Sequence, residues 1–300
     1  MAAEPPQPGR VERLAAGLRR VIAPNPGPLT LHGTNSYIVG DDRVAVIDPG
    51  PDIPAHLDAL EAALAPGERI AAVLVTHAHR DHAPLARALA QRWEAPVLAF
   101  GGATAGRSAL METLAAAGDL GGGEGIDAGF SPDRRLADGE EVDGPGWRLR
   151  ALHTPGHMGS HLCFLWQDVA FSGDHVMGWA STLVSPPDGD MGAYMKSLDR
   201  LATAGARVLY PGHGAPVTHP ATRIAELAAH RRAREAAILG RLGSAPQTVP
   251  ALTRAIYTDT PPALLPAAER NVLAHLLDLV ARDRARCDDP PGPAARFRLP

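Results

Sequence analysis

The chain has 300 residues, 45% of them hydrophobic and 4% aromatic, with 33 acidic against 29 basic side chains and a formal charge of −4. That is enough apolar material for one large domain, or one with a small appendage, and it excludes global disorder. The near-balance of charge excludes a strongly electropositive protein, though not a local basic patch.

In chain order, Thr34–Val39 and Val44–Ile47 read as strands, joined by a hairpin signal at Gly40-Asp41-Asp42. Residues 54–65 have helical apolar spacing. Ile70–Val75 is a continuous apolar run that suits a buried strand. Asp81 is placed to cap a following helix through Leu85, Leu89 and Trp93. Residues 101–131 mix a helical Met111–Leu114 with loop chemistry at Gly121-Gly122-Gly123 and Ser131-Pro132-Asp133, and read as an excursion over a site. A second strand series follows at Trp147–Leu152, Leu162–Trp166, Val169–Phe171 and Arg207–Tyr210, with a helix over Gly192–Ala202 between the last two. From there the pattern turns helical: Ala221–Leu242, Thr248–Tyr257 and Pro262–Arg286. A DDPPGP turn then leads to a short strand at Ala295–Leu299. The expected division is 1–220 and 221–300, the second part a small winged-helix-like domain.

The strongest signal is Thr76-His77-Ala78-His79-Arg80-Asp81-His82, directly after the buried strand. His77 and His79 are two apart, so at a strand end both can point to one side. Three more candidates sit at strand ends beside glycine: His157 in Thr154-Pro155-Gly156-His157, Asp174 in Ser172-Gly173-Asp174, and His213 in Pro211-Gly212-His213-Gly214. Five imidazoles and two carboxylates without thiolate suit Zn²⁺ and could also accept Mn²⁺ or Fe. Seven ligands exceed what one tetrahedral ion needs. Two Zn²⁺ ions per chain, about 3.5–4 Å apart and sharing a bridging carboxylate and hydroxide, would use all of them.

THAHRDH, TPGH, SGD and PGHG, in that order, resemble the metal motifs of the metallo-beta-lactamase superfamily over about residues 21–215. The resemblance implies an α+β fold, an αββα sandwich with a dimetal site at one edge. It further implies one ion on His77, His79 and His157, a second on Asp81, His82 and His213, and Asp174 as bridge. Asp48, in Val46-Ile47-Asp48-Pro49-Gly50, matches a family aspartate that orients a ligand histidine. Where many relatives have Gly-Gly after the DH, Ala83-Pro84 stand here; proline is tolerated in a first helical turn. Residues 221–299 resemble the winged-helix extension of the beta-lactamase-like subfamily that includes a mitochondrial endoribonuclease; some fungal polyketide thioesterases share the catalytic domain type.

The implied activity is metal-dependent hydrolysis of an ester, thioester, lactone or phosphodiester by a dinuclear-zinc-bridged hydroxide. Asp81 is both ligand and catalytic acceptor. Rival readings are a single-stranded RNA endonuclease, a mononuclear-iron dioxygenase and a non-catalytic nucleic-acid-binding protein. His161 is a candidate to face the substrate or to support a ligand, and Tyr194 to face the substrate or to pack. His153 and Cys163 read as packing residues. The arginines of the 221–242 helix have Glu226 and Glu235 among them and carry no interleaved aromatics, which argues against duplex DNA as a partner. Cys163 and Cys287 form no CxxC pair, the N-terminus lacks an apolar signal core, and no run approaches membrane-spanning length. The expected location is the cytoplasm.

Overall fold

A computed structural model describes residues 6–118, 120, 125–243, 245–287 and 290–300; the Gly121-Gly122-Gly123 loop and Asp288-Asp289 of the expected turn lie outside them. Two large sheets form the centre. One runs in chain order through β1 (Val11–Ala15), β2 (Leu18–Ile22), β3 (Asn35–Val39), β4 (Arg43–Ile47), β5 (Arg69–Leu74), β6 (Val97–Ala99) and β7 (Arg134–Arg135). Its first four strands pair antiparallel and its later pairings are parallel. The change falls where α1 (Pro54–Ala62) and α2 (Leu85–Trp93) enter, because parallel neighbours need a crossover. The second sheet has the order β12 (Val208–Pro211), β11 (Val169–Gly173), β10 (Leu162–Trp166), β9 (Trp147–His153) and β8 (Glu141–Gly144).

The layers follow from which side chains each strand buries. Leu18, Tyr37, Ile47, Leu74 and Leu98 of the first sheet meet Leu149, Phe164, Phe171 and Tyr210 of the second. On the outer face of the first sheet, Ile38, Val46 and Val73 pack on Leu60 of α1 and Leu89 of α2. On the outer face of the second, Cys163, Leu165 and Leu209 pack on Tyr194 and Leu198 of α4 (Met191–Ala202). The order is helix, sheet, sheet, helix. β4 and β5 are buried on both faces, which is why they read as continuous apolar runs.

The C-terminal part holds α5 (Pro220–Leu242), α6 (Val249–Ile256), a single 3-10 turn at Pro262–Leu264, α7 (Leu265–Ala281) and a hairpin of β13 (Arg286–Cys287) with β14 (Phe297–Arg298). The division expected near residue 220 falls at the start of α5, a helix shared by two cores. Ile224, Leu227 and Ala228 pack with α4 and the second sheet, whereas Ile238 and Leu242 pack with α6 and α7. Helix α3 (Ala109–Ala117), inside the 101–131 excursion, places Met111 and Leu114 in that C-terminal core too. No described helix is long and apolar enough to cross a membrane.

Two local expectations need correction, and two strands were not expected. The last helix stops at Ala281, and Arg286 begins a strand instead of ending a helix. Asp81 caps nothing: α2 starts from Pro84 without a side-chain cap, and the Asp81 carboxylate turns to His213. β1 and β2 went unread because charged residues interrupt them. Arg19 is nonetheless buried, since its guanidinium pairs with Glu68 at 2.6 Å and donates to the Ala63 carbonyl at 2.9 Å.

Candidate metal centre

Strand ends supply the site. β5 ends into His77, His79, Asp81 and His82; β9 leads to His157; β11 ends at Asp174; β12 ends before His213. All seven converge, in three overlapping groups: His77 with His79 and His157; His77 with His82 and Asp174; and Asp81 with His82 and His213. Close approach depends on glycine. A Cβ on Gly212 would sit 2.5 Å from Asp174 Oδ1 and 2.6 Å from His82 Cε1.

The ring nitrogens of the cluster lie within hydrogen-bonding distance of one another. His77 Nε2 is 2.8 Å from His79 Nδ1, His157 Nε2 is 2.9 Å from His79 Nδ1, and the two Nε2 atoms are 3.3 Å apart. His82 and His213 face each other through Nε2 at 3.3 Å. Their outward partners decide the tautomers. His157 Nδ1 donates to the Leu183 carbonyl at 2.7 Å, and His213 Nδ1 to the Gly33 carbonyl at 3.2 Å. His82 Nδ1 donates to Asp48 Oδ2 at 2.9 Å. Thr76 uses its single hydroxyl proton on Asp48 Oδ2 at 2.8 Å, so its oxygen accepts from His77 Nδ1 at 2.9 Å. In each neutral ring Nε2 is then a lone pair aimed inward. Asp174 Oδ1 is likewise buried without a hydrogen-bond partner, 3.5 Å from both His82 and His213 Nε2. Nitrogens bound to zinc at about 2.0–2.1 Å lie roughly 3.3 Å apart in a tetrahedron. The 3.3 Å pairs match that spacing, and the converging buried donors with the unpartnered Asp174 Oδ1 fit divalent ions.

The electrostatics divide the cluster in two. Burial, with neighbouring imidazoles, pushes His77 well below the usual histidine range and His79 down to about 3. Burial also lowers His157. It works the same way on His213, yet Asp174 and Asp81 overcome it and raise that ring to about 9. His82 is raised well above its usual value, where Asp81, Asp174 and Asp48 outweigh burial. Burial would raise Asp81 and Asp174, but His82 and His213 hold both carboxyls well below the ordinary range.

Two expected site residues lie elsewhere. His161 is fully buried behind the cluster, its ring centroid 5.2 Å from that of His77 and its Nδ1 2.9 Å from the Thr154 hydroxyl. Tyr194 is fully buried as well, with its hydroxyl on the His175 carbonyl at 3.3 Å. Neither lines the cleft. Proximity in sequence does not say which side of a sheet a ring occupies; here His161 lies behind a ligand histidine and Tyr194 packs against the second sheet. His153 packs as expected, stacked on Phe100 at 3.9 Å. Asp48 was placed by resemblance alone; the structure puts it beneath the cluster, where it also accepts from the Thr76 amide at 2.7 Å. The role of Thr76 was missed, although it stands inside the motif.

Above the cluster opens a cleft of about 490 Å³, with His79, Asp81, His157, Asp174 and His213 in its floor. Its walls come from Leu29, Ile126, Met177, Trp179 and Leu183 and from C-terminal Tyr257, Leu264, Ala267, Ala268 and Asn271. The C-terminal part thus covers one side of the cleft. No described lining residue is Lys or Arg. Ile126 arrives from the 101–131 excursion, whose returning limb bridges to His79 and accepts the Arg80 amide at Gly125. Concavities of about 830 and 860 Å³ elsewhere contain none of the seven residues.

Residues 29–213 match the metallo-beta-lactamase superfamily, and residues 248–290 match the beta-lactamase associated winged helix domain. The chain belongs to the metallo-beta-lactamase superfamily and is a metallohydrolase with a C-terminal winged helix domain. It is 30% identical to an atrochrysone carboxyl ACP thioesterase of Aspergillus chevalieri, covering 93% of this chain and 85% of that protein. It is 31% identical to a beta-lactamase-like protein 2 homolog of Drosophila melanogaster, over 92% of each. It also spans 65% of the length of the lactamase-like protein nscB of Trichophyton rubrum, over 77% of this chain, at 30% identity. A beta-lactamase domain protein from Burkholderia ambifaria shares the fold over 100% of this chain and 96% of its own, with a TM-score of 0.81 and 25% identity.

Proposed function

We propose that this chain hydrolyses an ester or thioester with an apolar acyl group, using two Zn²⁺ ions. His77, His79 and His157 would hold one ion, Asp81, His82 and His213 the other, and Asp174 both. The observation that carries this reading is the cluster of inward-aimed donor atoms beneath an apolar cleft whose described lining has no Lys or Arg. Phosphodiester binding draws most of its affinity from such cations, so the walls favour a neutral substrate over RNA. The relative from Aspergillus chevalieri, named as a thioesterase, supports the same class. A mononuclear-iron site would leave Asp81, His82 and His213 without a task.

When bound, such ions supply an activated water and polarise the carbonyl under attack. The chain's own residues do the rest. Asp48 and the Gly33 and Leu183 carbonyls hold the rings so that donor atoms face inward. Asp81 opens onto the cleft and is held ionised, so it is an acceptor that orients the attacking water and not a proton donor. Apolar walls seat the acyl chain and exclude bulk water.

Elemental analysis of protein purified without chelator should give about two ions per chain, in a Zn²⁺, Mn²⁺ and Fe panel led by Zn²⁺. In parallel assays on thioester, lactone and single-stranded RNA, thioester turnover should dominate. RNA cleavage exceeding it, or a stoichiometry of one, would refute the reading.

A further inference from the structure

The cleft wall from Met177 to Pro186 is held largely by the C-terminal helices. Arg223 of α5 donates to the Met177 and Ala180 carbonyls at 2.8 and 2.9 Å. Arg231 of α5 donates to the Thr182 carbonyl. Asn271 of α7 accepts from the Val184 amide at 3.1 Å, and Arg270 donates to the Ser185 hydroxyl at 2.9 Å and to the Pro186 carbonyl. This strap contains the groups that hold His157: the Leu183 carbonyl at 2.7 Å and the Thr182 hydroxyl at 3.1 Å from its Nδ1.

We propose that Arg231 and Asn271 are positioning residues for His157, so that the winged-helix part sets one ligand of the metal centre as well as covering the cleft. The argument turns on one peptide plane. The Leu183 C=O and the Val184 N–H belong to the same planar unit and point in opposite directions. Asn271 holds the N–H end while His157 donates to the C=O end. If the plane turns, the carbonyl leaves His157 Nδ1, and with it goes the restraint that keeps Nε2 aimed inward. Arg231 fixes both neighbours of that plane. One nitrogen donates to the preceding carbonyl of Thr182, and Nη1 donates to Asn271 Oδ1 at 3.1 Å. The Asn271 amide cannot flip without loss, because its Nδ2 donates to the Ala267 carbonyl at 3.1 Å.

Arg231 is an uncommon residue for such a place. It is 1% exposed, it has no carboxylate partner among the described residues, and its guanidinium lies 5.4 Å from the Tyr194 ring. A buried cation without a counter-charge is costly, and apolar residues would fill the same space more cheaply. Its cost is explained if its donors hold Thr182 and Asn271. The second half of the cluster has no such tie: His82 and His213 rest on Asp48 and the Gly33 carbonyl.

This inference rests on reading His157 as a ligand, and the two can fail separately. The test measures stepwise Zn²⁺ affinities of the full chain by chelator competition, with His79→Ala and His213→Ala assigning each step to its half. Asn271→Leu removes the acceptor at similar volume. It should weaken the ion on His77, His79 and His157 by about 10–100-fold and shift the Co²⁺ d–d absorption of that half. The other ion, whose rings rest on Asp48 and the Gly33 carbonyl, should weaken clearly less, any change there passing through the shared Asp174. Asn271→Asp keeps the acceptor oxygen and should restore the first ion. Arg231→Met should act like Asn271→Leu, and because Arg231 does not line the cleft no lost substrate contact can explain the effect. Equal weakening of both ions, no weakening, or an Asn271→Asp variant as impaired as Asn271→Leu would overturn the proposal. If Asn271→Leu fails to fold, Arg231→Met and Asn271→Asp still decide it. A wild-type chain that binds no ion would sink the metal reading itself.

Discussion

Asp48→Asn isolates how much of the metal centre is held from below. Asp48 accepts three hydrogen bonds while 2% exposed: from the Thr76 amide at 2.7 Å, the Thr76 hydroxyl at 2.8 Å and His82 Nδ1 at 2.9 Å. The substitution is nearly isosteric. Asp48 has φ of 50°, a left-handed conformation that asparagine also adopts, so the backbone is not a confounding factor. An amide offers only one oxygen, so at least one donor is left facing an NH₂. If the amide nitrogen faces Oδ2's partners, His82 must move its proton to Nε2 and lose its inward lone pair. The Thr76 hydroxyl must also turn, which releases His77 Nδ1. Losing a charge-assisted bond costs about 1.5–3 kcal/mol. Because Asp48 reaches His82 directly and His77 through Thr76, both ions should weaken, each by roughly 10–100-fold. Chelator competition with Zn²⁺ measures this, with far-ultraviolet dichroism as the control for folding. Wild-type affinity at both steps would refute the relay, and a loss confined to one ion would remove the Thr76 limb.

Asp174→Ala should lower both ion affinities, whereas His213→Ala should weaken chiefly one; matching single-ion losses in both variants would contradict the bridging assignment. The two halves should also answer pH differently. His213, raised to about 9, and His82, raised well above its usual value, hold protons at neutral pH that an ion must displace, so affinity of that half should fall by up to tenfold per pH unit for each such proton as pH drops below 9. His79, near 3, is already unprotonated, and the His77, His79 and His157 half should stay flat over the same range in calorimetric titrations. Chelator treatment should lower Tm, since ion binding to the native state alone adds stability by mass action; an unchanged Tm after verified removal of metal would oppose it. Phe164→Ala, at a fully buried position between the sheets, should cost about 3–5 kcal/mol in denaturant unfolding while leaving metal stoichiometry near wild type.

The sequence by itself determined most of what is local or repeated. The dense His77–His82 motif marked four donors and three strand ends with a histidine or aspartate beside glycine marked the others, and the apolar runs marked the strands that carry them. Residue type at strand ends constrains chemistry before any packing is known, which is why seven scattered positions could be joined into one site. Strands crossed by charge were not legible, because burial of Arg19 depends on Glu68, 49 residues away. Nor was the depth of His161 and Tyr194: their sequence neighbours are site residues, but the face each side chain takes is set by the sheet. Tertiary structure alone decided the tautomers, since these follow from carbonyls at Gly33 and Leu183 and from a shared Thr76 proton. It alone placed Tyr257, Leu264 and Asn271 in the cleft wall. A helix sequence records which face is apolar and not what that face will meet, so the reach of α5 and α7 to His157 could be read only from the folded chain.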